Sequence, residues 1–187
     1  MLTLNREELL GVLPKESTVI EIGVDKGDFS KNILEKSNPK KLILIDPWIE
    51  MLDIQNQDSN HAQKYLSVKE IFKNDSRVEI LKKSSDEAVT TIKNNSVDWI
   101  YIDGDHKYQS CLADLRNYSN KVKDDGYICG HDWVTKEKKG FGVNQAVEEF
   151  IKETGFLLCG LTNEQNFKSY VIAKNESAKK KLLSEIK

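Results

Sequence analysis

Apolar and polar positions along this chain switch repeatedly between two periods. Short β-branched and aromatic runs at 18–23, 41–45, 77–81, 97–102 and 127–130 read as strands. Between them, 29–36, 61–73, 86–93 and 108–122 carry apolar residues at helical spacing. In the last of these, Cys111, Leu112, Leu115, Tyr118 and Val122 line one face and point at a sheet. Strands alternating with helices predict parallel βαβ units with right-handed crossovers, an α/β doubly wound sheet. The end departs from that rule. A helix over 143–154 stops at Gly155, and strands at 156–161 and 167–173 follow with only a few residues between them. So short a connection allows an antiparallel hairpin but no parallel crossover. The sum is seven strands, mostly parallel, closing in a C-terminal antiparallel hairpin. A helix within residues 1–17 and a Lys-rich surface helix over 175–187 complete the expectation of one domain over 1–187.

The most telling run is Val97-Asp-Trp-Ile-Tyr-Ile-Asp103-Gly-Asp105, followed at once by His106. A near-continuous apolar run is the mark of a parallel strand buried on both faces. In such sheets ligands bind just beyond the carboxyl ends of the strands. Asp103 and Asp105 therefore fall at the edge where chemistry is expected, and carboxylates buried there need partners.

A second signal lies at the end of the first strand, Glu21-Ile-Gly23-Val-Asp25-Lys-Gly27. The two glycines allow a tight turn and a close approach by a ligand to the backbone, and the next helix offers free N–H groups. The spacing is E-x-G-x-x-x-G, not the G-x-G-x-x-G of dinucleotide sites. Alone, such a turn often serves packing only. Asp46 adds weight, because it ends the second strand 23 positions after Gly23, where a carboxylate can accept from both ribose hydroxyls. Trp48, after Pro47, either lies against the nucleoside or anchors the core. Together these positions point to nucleoside binding.

Composition narrows the partners. With 28 Lys+Arg against 30 Asp+Glu the net charge is −2, which gives no electrostatic argument for nucleic acid. Only Arg6, Arg77 and Arg116 are arginines, so bidentate phosphate recognition is not a main theme. Three cysteines without metal-type spacing are expected to be reduced and packed. No apolar run approaches a membrane span of about 20 residues, and the N-terminus lacks the apolar core of a signal peptide. A cytoplasmic location is the resulting expectation.

Four ordered motifs carry a resemblance over about residues 19–150: Glu21-Ile-Gly-Val-Asp-Lys-Gly, Ile45-Asp-Pro-Trp, Tyr101-Ile-Asp-Gly-Asp-His-Lys-Tyr and Gly130-His-Asp-Trp. The segment from Gly142 to Phe150 also fits. The chain resembles the class I S-adenosylmethionine-dependent methyltransferases, and more narrowly the small methyltransferase-24 family related to metal-dependent sugar and catechol-type O-methyltransferases. That resemblance implies a Rossmann-like seven-stranded sheet with a reversed last strand. It implies that Gly23, Asp25 and Gly27 surround the methionine part of the cofactor, with Glu21 tying down the turn and Asp46 on the ribose. Ser85 and Asp86 take the adenine position, although Ser84-Ser85-Asp86 also reads as a helix N-cap. Asp105 is assigned to the cofactor, and His106 either enters the cleft or caps the next helix. His61 reads as exposed and without a role.

In the metal-dependent relatives the positions matching Asp103, His131 and Asp132 bind Mg²⁺. A divalent ion there would hold and acidify a hydroxyl. His131 departs from the relatives' Asp or Asn, and nitrogen ligation suits Mn²⁺, Fe²⁺ or Zn²⁺ better than Mg²⁺. Two other readings stay open. His131 is the general base, since an imidazole ordinarily titrates near 6.5, or His131 and Asp132 form a structural pair. The implied activity is methyl transfer to a small-molecule or sugar hydroxyl. The rival is a non-catalytic module that binds S-adenosylmethionine or another nucleoside. A Ser-His-Asp hydrolase lacks its G-x-S-x-G elbow here. Residues 49–60 and 134–140 are the stretches long enough to serve as lids. The short segment before the first strand leaves room for a second subunit to complete the pocket, and so for a homo-oligomer.

Overall fold

The computed structural model describes residues 1–49, 60–134 and 138–186. Its seven-stranded sheet has the order β3-β2-β1-β4-β5-β7-β6. The strands are β1 Thr18–Ile22, β2 Lys41–Asp46, β3 Val78–Lys82, β4 Val97–Ile102, β5 Val122–Val134, β6 Leu157–Leu161 and β7 Phe167–Ala173. The helices are α1 Arg6–Val12, α2 Asp28–Ser37, α3 His61–Phe72, α4 Ser85–Ala88, α5 Tyr108–Tyr118, α6 Val143–Thr154 and α7 Glu176–Glu185. Strands β1 to β5 run parallel, whereas β7 is antiparallel to both its neighbours. The expected doubly wound sheet with a closing hairpin is the observed one. Among the described residues no helix is long and apolar enough to cross a membrane.

Side-chain alternation builds a core on each face of the sheet. Ile20, Ile22, Ile100 and Ile102 pack with α5 and α6 residues such as Leu115, Tyr118, Val147 and Phe150. Val19, Leu42, Leu44, Trp99 and Tyr101 pack the other way, against Leu9 and Leu10 of α1, Ile33 of α2, Phe72 of α3 and Leu182 of α7. The Lys-rich C-terminal helix thus has one buried side, with Tyr127 Oη donating to the Ala178 carbonyl at 2.9 Å.

Three boundaries differ from the sequence reading. The helix expected over 86–93 is a single turn, α4, followed by a 3₁₀ turn Val89–Thr91; the β-branched Val-Thr-Thr resists a longer α-helix. Helix α5 ends at Tyr118, and Val122 opens β5 opposite Val97 instead of ending the helix. Strand β5 continues to Val134, well past Gly130. Its pairing with β7 breaks register between Gly130 and Trp133, and Asp132 sits there at φ 59°. This irregularity lifts His131 and Asp132 out of the regular ladder, as bulges near functional edges do.

Sheet order reverses between β1 and β4, because β2 and β3 wind out on one side of β1 and β5 lies on the far side of β4. Their carboxyl ends meet closely. Asp103 donates its N–H to the Ile22 carbonyl at 2.7 Å, and Gly23 donates to Ile45 at 2.9 Å. That reversal point is where an open α/β sheet presents a crevice.

Candidate active site

A cleft of about 560 Å³ opens at this reversal point, lined by Gly23, Asp25, Asp46, Ser85, Asp86, Asp103 and Asp105 among others. Its size lies within the range of small-molecule sites. Gly23 is held at φ +86°, and a Cβ there would stand 2.2 Å from the Asp103 carbonyl oxygen. Only glycine fits. Asp46 Oδ2 accepts from the N–H groups of Val24 and Asp25 at 2.9 and 3.0 Å, while Oδ1 accepts from Trp48 N at 2.7 Å. A carboxylate has about four acceptor directions, so Asp46 ties the glycine turn together and keeps about one direction for a ligand.

Other expected residues serve the walls. Trp48 is 3% exposed, donates its indole N–H to the Asp25 carbonyl at 2.9 Å and packs on Tyr65; it anchors the core and is not among the cleft's lining residues. Gly27 caps α2 at φ +81°, facing Phe72 and Val68, and it too lies behind the cleft. Asp25 meets Lys64 at 2.5 Å. His61, expected to be exposed, is half-buried and lines the cleft.

Glu21 is buried beneath the turn and accepts from Ser30 Oγ at 2.5 Å. Burial pushes its carboxyl up to about 8, with the Ser30 bond and Arg6 pulling down and Asp103 and Asp46 pushing up. The folded state therefore keeps a proton that the unfolded state has lost between the ordinary carboxyl range and about pH 8. Stability from this group is complete below that range and is lost as pH rises through about 8. Thermal unfolding should show the wild type losing ground to Glu21→Gln between pH 5.5 and 8.5, as the amide cannot ionise. Parallel curves for the two proteins would refute the protonated Glu21.

At the opposite end, Ser84 and Glu87 form a capping box for α4, and Ser85 and Asp86 line the cleft. Asn117 Nδ2 donates to Asp86 Oδ1 at 2.8 Å. Beside them sits Asp114 of α5, 6% exposed and facing the cleft. Burial, opposed by Ser85 and aided by Asp86 and Asp105, raises its carboxyl to about 6. The sequence reading missed Asp114. A carboxylate one turn from Cys111, on the apolar stripe of α5, was the available signal.

Asp103, Gly104 and Asp105 also wall a second, much smaller cavity beside the cleft, and there the structure brings Asp103 together with His131 and Asp132. His131 Nδ1 lies 3.2 Å from Asp132 Oδ1 and 3.7 Å from Asp103 Oδ1. Burial raises the Asp103 carboxyl against the pull of Arg6 and His131. In Asp132 burial is outweighed by the hydrogen bond and charge of His131 and by His106 and Arg6, leaving its carboxyl below the ordinary range. Asp105 lines the cleft while accepting from Lys107 N and Ser110 Oγ at 3.2 and 2.8 Å, which secures the start of α5. His106 stacks on Phe141, centroids 3.9 Å apart. Ligand atoms of Asp103, His131 and Asp132 all lie within 4.8 Å of one another, close enough by size for one divalent ion. The charges do not suit it, because Arg6, a residue the sequence reading did not place here, pairs its guanidinium with Asp103 Oδ2. Of the two lid stretches, residues 50–59 of the first and 135–137 of the second lie outside the described residues.

Comparison with known proteins agrees with this geometry. Residues 20–133, more than half of the chain, match the model of the Methyltransf_24 family, described as a methyltransferase domain. Uncharacterized protein R132 of Acanthamoeba polyphaga mimivirus is 33% identical over 131 residues, 68% of this chain and 57% of that protein. The chain thus spans little more than half of that relative's length. Among solved structures, Aeropyrum pernix fibrillarin with natively bound S-adenosyl-L-methionine superposes with a TM-score of 0.62 at 10% identity, covering 87% of this chain and 68% of that one. A SAM-dependent methyltransferase from Aquifex aeolicus superposes at 0.61 with 15% identity, over 88% and 85%. At such identities these two likenesses speak to the fold.

Proposed function

The chain belongs to the class I S-adenosylmethionine-dependent methyltransferases, within the methyltransferase-domain family whose model it matches, and from that premise we propose that it methylates a hydroxyl oxygen of a small-molecule or sugar acceptor. One observation carries the choice of oxygen: an imidazole, His131, stands at the carboxyl edge beside the cleft with a carboxylate at 3.2 Å from its Nδ1. A hydroxyl must lose a proton as it is alkylated, and a positioned imidazole is a suitable acceptor for it.

Bound in the cleft, S-adenosylmethionine would supply an electrophilic methyl group. Gly23 and Asp25 would hold its methionine part, Asp46 would accept from the ribose through its remaining lone-pair direction, and Ser85 and Asp86 would meet the adenine. His131, with Nδ1–H turned to Asp132, takes the acceptor's proton on Nε2. Asp132 then stabilises the resulting imidazolium, and Asp103 Oδ1, its carboxylate already paired with Arg6, stands 3.7 Å away. A second reading is favoured by the convergence of the donor atoms of Asp103, His131 and Asp132: a divalent ion held there would acidify the hydroxyl. Arg6 on Asp103 weighs against it.

Calorimetry with the demethylated cofactor product, followed by methyl transfer to mixtures of hydroxyl compounds, tests the proposal. Asp46→Ala should weaken cofactor-product binding by about 1–3 kcal/mol, since a charged acceptor is lost and three backbone donors are freed. Unchanged affinity would remove Asp46 from the ribose. Binding of NAD in place of the cofactor would overturn the reading, and binding without transfer would leave a non-catalytic nucleoside-binding module.

A further inference from the structure

Arg6 is the first residue of α1, 97 positions from Asp103, yet its guanidinium reaches the acidic edge and pairs with Asp103 Oδ2. We propose that Arg6 is the built-in cation of this site: it neutralises Asp103, keeps Asp103, His131 and Asp132 from sharing a divalent ion, and leaves both carboxylates to hold the imidazole. The inference concerns which cation the site takes and does not depend on the acceptor.

The placement of Arg6 is built, not incidental. Leu2 N donates to the Leu161 carbonyl at 2.7 Å, and Asn163 N donates to the Leu4 carbonyl at 2.9 Å, so the N-terminal segment is tied to the connection between β6 and β7. Asn5 caps α1 and the Arg6 N–H bonds to Glu164 Oε1. The guanidinium carbon then lies over Phe29, 3.7 Å from the ring centroid, with the Tyr101 ring centroid at 5.1 Å. Its side chain is 23% exposed, and among the described residues Nε is buried without a partner, as is Glu164 Oε2. Stripping a guanidinium of water and leaving one donor unpaired is unfavourable unless its charge is needed where it sits.

That charge decides the metal question. Donor atoms within 4.8 Å of one another span about twice a metal–oxygen bond, so geometry alone admits an ion. A guanidinium keeps its charge at every working pH, and a dication on the same carboxylate would be repelled by it. At an effective dielectric constant of about 20 and a separation of about 5 Å, that repulsion alone lowers affinity on the order of 10⁵-fold, and solvent screening leaves part of that loss. Lysine could supply the charge but not the fork of donors and the delocalised face that suits an aromatic ring.

Titration of the full chain with Mn²⁺, read by the electron paramagnetic resonance signal of the free ion, tests the inference without turnover. The wild type should show no site tighter than about 1 mM. Arg6→Met should gain affinity by at least about tenfold, and adding Asp132→Asn should abolish the gain. Arg6→Gln repeats the test, with thermal unfolding and cofactor-product binding verifying that each variant is folded. Micromolar Mn²⁺ binding by the wild type that Asp103→Asn removes would overturn the inference. So would folded Arg6→Met and Arg6→Gln proteins that bind Mn²⁺ no better than the wild type. If neither variant folds, the wild-type titration decides alone. A protein that failed to transfer methyl groups would leave this result standing, and the reverse also holds.

Discussion

His131→Asn should lower turnover by about 10²–10⁴-fold while affinity for the demethylated cofactor product stays within a factor of about two, because general-base help is worth that much and His131 does not line the main cleft. Asparagine can keep the hydrogen bond to Asp132, now 3.2 Å from Nδ1, but it cannot carry a proton away from a hydroxyl near neutral pH. The comparison with chelator separates the readings. Turnover that survives chelation in the wild type and falls in His131→Asn supports the base. Turnover that chelation abolishes, and that Mn²⁺ or Mg²⁺ restores, would put an ion at Asp103 and His131 and contradict the role given to Arg6. Full activity of His131→Asn in metal-free buffer would leave His131 and Asp132 as a structural pair.

The acidic edge was legible because local sequence determined it. Val97–Ile102 is apolar on both faces, so it had to be an inner parallel strand, and the residues after an inner strand must lie at the ligand edge. Gly23 and Asp46 followed from the same rule applied to β1 and β2. His131 and Asp132 come to stand beside Asp103 for a reason the sequence did not display. The expected strand stopped at Gly130, yet pairing with β7 resumes at Trp133, across an irregularity that turns the two residues out of the ladder. Arg6 was illegible. Its role depends on β6 and β7 folding back to receive the N-terminal segment, a long-range event with no trace in local periodicity. Trp48 is the opposite case: of the two roles that its chemistry allowed, the structure takes the core anchor, with the indole N–H donating to the Asp25 carbonyl. Asp114 lies on the buried stripe of α5, where only the apolar members carry a periodic signal.

Gly23→Ala should be the most damaging single-methyl change in the molecule. Two independent effects add. An alanine at φ +86° is strained by about 1–3 kcal/mol, and the new Cβ would stand 2.2 Å from the Asp103 carbonyl oxygen and 2.6 Å from Gly104 N. Neither neighbour can yield cheaply, since both are backbone at the end of β4, which is bonded to β1 through Asp103 N and the Ile22 carbonyl. Relieving the clash parts the two strand ends that form the crevice, at a further cost of about 1–3 kcal/mol. The sum, roughly 2–6 kcal/mol, is a large share of the 5–15 kcal/mol that stabilises a typical domain. Denaturant unfolding should show that loss, and the folded remainder should bind the demethylated cofactor product poorly, because Val24 N and Asp25 N move off Asp46. Gly155 supplies the control. It has a similar φ of +78° at the end of α6, with nothing among the described residues within 4 Å of where a Cβ would stand, so Gly155→Ala should show only the conformational strain that the two variants share, about 1–3 kcal/mol. Equal losses in the two variants would mean that β1 and β4 do not approach as closely at Gly23 as described, and the crevice would lose its floor.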